Sequence, residues 1–101
     1  MELHHHAVHI STDRSGTLHV AGDIDLDSAP VLDAALRSLD DDAPTIDLSQ
    51  VTFLDSTGVN VLVAAIHDRH DHGGLVLGAV SRPALRTLEL AGVLPFFSRA
   101  S

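Results

Sequence analysis

Asp55-Ser56-Thr57-Gly58 is the stretch of this 101-residue sequence whose residue types could do chemistry. An apolar run from Val51 to Leu54 leads into Asp55, and a long apolar helix is expected to open at Thr57 or Gly58. Ser56 lies between them. A serine just ahead of a helix can cap the first free N–H groups. It can equally present a hydroxyl where an attached phosphate would meet those N–H groups and the positive end of the helix dipole. Nucleophilic catalysis needs more: a base within hydrogen-bond reach and a third group to orient it. The Gly-x-Ser-x-Gly elbow is absent, because Leu54 stands where its first glycine would be. No Gly-Lys-Ser or Gly-Lys-Thr occurs, and the chain has no lysine at all. The chain is therefore expected not to be an enzyme.

Two further sets of side chains have metal-ligand chemistry. His67, His70 and His72, with Asp68 or Asp71, cluster at the expected end of the helix. Their spacing fits no closed four-ligand pattern. Cationic histidines also suit a helix C-terminus, so a solvated last turn without metal is the expectation. Asp23, Asp25 and Asp27 alternate, which turns Asp23 and Asp25 the same way. They could hold Mg²⁺ or form a charged sheet edge.

Composition narrows the function. The formal net charge is −8, and six arginines are scattered along the chain. That leaves no basic face for nucleic acid. Without cysteine there is no disulfide and no thiolate site. No apolar run approaches the roughly 20 residues of a membrane span. Met1 to His6 carry neither a basic stretch nor an apolar core, and read as a flexible N-terminus before one domain over residues 1–101. A soluble, cytoplasmic protein is expected.

The elements that must position Ser56 follow from periodicity. Ala7 to Thr12 and Thr17 to Ile24 alternate as strands around an Asp13–Gly16 turn, a β-hairpin. Val31, Leu32, Ala35, Leu36 and Leu39 form a helical stripe behind Pro30, with Asp27 or Ser28 as cap and Asp40-Asp41-Asp42 as a solvated end. Thr45 to Leu48 reads as a short third strand. Val59 to Ile66 is apolar almost all round, as in a buried helix. Leu75 to Val80 reads as a central strand. A last helix begins at Ser81-Arg82-Pro83, with Leu85, Leu88 and Ala91 inward, and Val93 to Phe97 reads as an edge strand. The outcome is an α/β chain: a mixed sheet of about four to five strands, an N-terminal hairpin followed by β-α units, covered by about three helices.

Ile46-Asp47-Leu48-Ser49, Val51, Phe53 and Asp55-Ser56-Thr57-Gly58-Val59 resemble the central motif of STAS domains, within them the bacterial anti-sigma factor antagonists. Gly22-Asp23-Ile24-Asp25 resembles the family's Gly-Glu-Leu-Asp. Leu88, Ala91-Gly92-Val93-Leu94 and Phe97 resemble its closing segment. The resemblance spans about Val8 to Phe97. It departs at Asn60, where a second glycine is common, and at Asp23, which replaces Glu.

The resemblance implies the STAS fold and a switch. Ser56 matches the serine phosphorylated by an anti-sigma factor that is also a serine kinase, with Asp23, Asp25, Asp55, Thr57, Gly58 and Asn60 as its surroundings. The unphosphorylated domain would bind that anti-sigma factor and free a sigma factor, regulating transcription; a protein phosphatase would reset it. ATP and Mg²⁺ would belong to the kinase, and the chain would need no cofactor, nucleic acid or membrane. The alternative within the same class is an adaptor subunit of a lipid-transport ABC complex.

Overall fold

Leu18, Val20, Gly22 and Ile24 are buried, and His19, Ala21 and Asp23 between them are half-buried. That period of two makes β2 (Leu18–Ile24) a strand with one face on the core. The computed structural model describes residues 7–40 and 42–98, so the expectations on residues 1–6 and on Asp41 lie outside the described residues. β1 (His9–Thr12) pairs antiparallel with β2 across a turn in which Gly16 takes φ 88°. α1 (Ala29–Arg37), β3 (Thr45–Leu54), α2 (Ser56–Asp68), β4 (Val76–Val80) and α3 (Arg82–Ala91) follow. The sheet order is β1-β2-β3-β4, with β2, β3 and β4 parallel. A four-stranded mixed sheet with three helices is the α/β architecture expected from the pattern.

The differences lie in extent and placement. β3 runs ten residues, because Val51 to Leu54 continue the strand of Thr45 to Leu48. Two register shifts against β2, between His19 and Ala21 and between Gly22 and Asp23, keep Ile46, Leu48, Val51 and Leu54 all buried despite the odd spacing. β4 is an edge strand rather than a central one, and its Gly78 and Ala79 are exposed. Leu94–Phe96 forms a 3-10 turn around Pro95 in place of a fifth strand. Ser98 makes an isolated bridge to Val76 on β4.

The helices are also less buried than their composition implies. In α2 only Gly58, Val59 and Leu62 are buried. Ala84 and Leu88 face inward from α3, Leu85 is half-buried, and Ala91 is exposed. Leu32 and Leu36 of α1, Leu62 of α2 and Leu88 of α3 meet Ile46 and Leu48 in one aliphatic core. Ser28 precedes α1 without a side-chain cap bond. Its buried hydroxyl instead donates to the Asp23 carbonyl at 2.8 Å and accepts from the Asp25 N–H at 2.9 Å.

Across the exposed face of the hairpin, His19 Nε2 lies 2.7 Å from Asp13 Oδ2 and Nδ1 lies 3.2 Å from Asp47 Oδ2. Both nitrogens donate only in the imidazolium. The bond to Asp13 accordingly raises the His19 pKa above its ordinary value. Asp13 is held well below the usual carboxylate range by the Ser15 hydroxyl and then by His19. Asp47 is lowered by Ser49. The sign for His19 follows: its stabilisation is complete below the unfolded-state value of about 6.5 and fades as pH rises through the folded value. The carboxylates' share is lost only as pH falls below about 4. The gap in melting midpoint between wild type and His19→Gln is expected to close between pH 6 and pH 9. A gap independent of pH in that window would refute the imidazolium clamp. The effect is small, because the cluster is open to solvent.

Candidate functional site

β3 delivers Asp55 to the end of the sheet, where its N–H donates to the Ile24 carbonyl at 3.2 Å. That bond fixes the turn from β3 to α2 against the end of β2. Asp55 has extended backbone and is the cap of α2: its Oδ1 accepts from the N–H of Thr57 at 2.9 Å and of Gly58 at 3.2 Å. Ser56 is thus the first residue of α2, not its cap, and the helix opens one residue earlier than the spacing indicated. Ser56 is exposed, and its hydroxyl takes no part in the cap.

This arrangement changes what a phosphate on Ser56 would meet. Asp55 already occupies the N–H groups of Thr57 and Gly58. The positive end of the α2 dipole remains as the favourable term, and the Asp55 carboxylate beside it opposes a second negative group.

The other expected surroundings separate into distinct tasks. Gly58 is buried, and a β-carbon there would lie 2.5 Å from Leu54 Cδ1 and 2.6 Å from Ile24 Cγ2. Glycine is needed for close packing of α2 on the strand ends. Asp23 sits near the C-terminal end of β2, beside Phe53 in register, and its carboxylate accepts the Thr52 hydroxyl. β2 is an inner strand, so the charged sheet edge anticipated for these aspartates does not form there. Asp25 Oδ1 accepts from the N–H groups of Asp27 and Ser28, both at 3.0 Å, and so shapes the entry to α1. Asn60 is exposed one turn along α2 from Ser56.

A groove of about 570 Å³ opens beside Ser56. One wall is a stripe of α2 at helical spacing: Ser56, Val59, Asn60 and Val63. The other is Thr87, Leu90 and Ala91 of α3, continued by Val93 and Phe96. Among the described residues no charged side chain lines it. Leu90 and Phe96 stand on its lips, 78% and 57% exposed. The sequence pattern did not reveal this feature, because an all-round apolar α2 reads as buried. The available signal was Leu90, which falls off the inward stripe of Ala84 and Leu88.

The histidines do not converge. The His67 and His70 rings stack 5.7 Å apart, His70 Nε2 lies 3.0 Å from Asp71, and His72 lies 3.6 Å from Asp42. Among the described residues no group of three or more histidine or carboxylate side chains is placed to share one ion.

A family model described as Mlab, STAS domain matches residues 9–94. The chain belongs to the STAS domain family. Solved structures agree with that assignment. This STAS domain is similar to the crystal structure of an anti-sigma factor antagonist from Mycobacterium paratuberculosis, at 28% identity over 92% of this chain and 83% of that one, with a TM-score of 0.75. It shares its fold with the anti-sigma factor antagonist SpoIIAA in its unphosphorylated form, at 17% identity over 94% of this chain and 89% of that one, with a TM-score of 0.68. No curated protein matches the chain. No helix among the described residues is long and apolar enough to cross a membrane.

Proposed function

We propose that this STAS domain is an anti-sigma factor antagonist, a binding module without catalytic chemistry of its own, switched by phosphorylation of Ser56. Its likeness to the mycobacterial antagonist supports the binding role. The observation that carries the switch is the cap: Asp55 holds the α2 terminus, so the Ser56 hydroxyl is exposed and dispensable to the fold. Unphosphorylated, the domain binds an anti-sigma factor that is also a serine kinase, and a sigma factor is released in the cytoplasm. A phosphate adds about −1.5 to −2 charges next to Asp55, in a chain of net charge −8. A partner surface fitted to a neutral hydroxyl must then desolvate or repel a dianion. A phosphatase restores binding. ATP and Mg²⁺ belong to the kinase.

Incubation with purified anti-sigma factor kinases and Mg²⁺-ATP, followed by phosphosite mapping, tests this. The expected acceptor is Ser56. Thr57 and Ser49 are only half-exposed. Phosphate found on either of them would overturn the assignment.

A further inference from the structure

The exposed hydroxyl is one end of a larger surface. We propose that the groove between α2 and α3 receives an amphipathic helix of the anti-sigma factor, with apolar residues inside and basic residues at the end that meets Ser56. This rests on the reading under Proposed function and names the element that the switch controls.

Three observations point to that occupant. The walls are two helical stripes with an open groove between them, into which a third helix packs as ridges into grooves. Ser56 to Val63 spans seven residues of rise, roughly 10 Å, or about two turns. That length matches apolar anchors at i, i+3 or i+4, and i+7 of an incoming helix. The charge pattern sets its direction. Among the described residues the groove has no charged lining, whereas its Ser56 end adjoins Asp55 and the turn held to the end of β2, where Asp23, Asp25 and Asp27 follow one another. Lysine or arginine at that end of the helix is complementary to them. A phosphate on Ser56 would sit at the groove mouth, where docking of an apolar face requires it to lose water.

Calorimetry with the kinase that phosphorylates Ser56 tests the proposal, using the double variant Leu90→Gln, Phe96→Gln. Both positions are largely exposed, so the fold is expected to stand, and unfolding curves confirm it. Binding should weaken on the order of thirtyfold, while Val31→Gln, exposed on α1 and absent from the groove lining, changes it less than threefold. Photo-cross-linking from Phe96→benzoylphenylalanine should map to a partner helix with the stated apolar spacing and basic end. Wild type that binds the kinase while the double variant binds equally well overturns the groove and leaves the Ser56 switch standing. A cross-link to a segment without that pattern, or to a second copy of this chain, also overturns it. If the wild-type chain binds none of the anti-sigma factors, the reading under Proposed function falls, and the groove assignment with it.

Discussion

Ser56→Asp is expected to lower affinity for the anti-sigma partner about a hundredfold, and Ser56→Ala to leave it within a fewfold of wild type. A hundredfold corresponds to about 2.7 kcal/mol, within the range for charge placed against an unmatched interface. The fold should be nearly indifferent to both changes. Ser56 does not cap α2, so Ser56→Ala is expected to cost less than about 0.5 kcal/mol, as for other surface substitutions. In Ser56→Asp the gain from the helix dipole is offset by repulsion from the neighbouring Asp55 carboxylate. Binding by calorimetry, with unfolding curves on both variants, separates the two effects. Ser56→Ala should also bind without any response to ATP. If Ser56→Asp binds as tightly as Ser56→Ala, charge at this position does not control the complex, and the adaptor role in a lipid-transport ABC complex becomes the better reading.

Gly58→Val is expected to destabilise the fold by about 3 kcal/mol. Its β-carbon would fall 2.5 Å from Leu54 Cδ1 and 2.6 Å from Ile24 Cγ2. Leu54 Cδ1 is the end of a side chain and can rotate. Ile24 Cγ2 is attached directly to a β-branched carbon, 3.4 Å away, and cannot retreat without moving β2. Gly58→Ala meets the same contacts but gains about 1 kcal/mol of helix propensity, so its loss should be smaller, near 1 kcal/mol. Urea unfolding of both variants checks the order. Gly58→Val as stable as wild type would show that α2 is free to lift from the strand ends.

Local chemistry made much of this molecule legible. The alternation in Leu18 to Ile24, the stripe at Leu32 and Leu36, and Ser81-Arg82-Pro83 at a helix start each depend on nearest neighbours along the chain. Each formed the element that its period dictates. The Asp55-Ser56-Thr57-Gly58 run was equally visible, because a strand end, a capping residue and a helix start follow one another within it.

Tertiary packing decided the rest. Which of Asp55 and Ser56 caps α2 depends on the Asp55 N–H reaching Ile24, a residue distant in sequence. Apolar composition could not tell β4 from a central strand, since edge position is set by what pairs beside it. Nor could it show that α2 turns Val59 and Val63 toward a groove, because an all-round apolar helix has no face marked for solvent. Hydrophobicity is a property of each residue; which apolar faces remain uncovered is a property of how the helices cross.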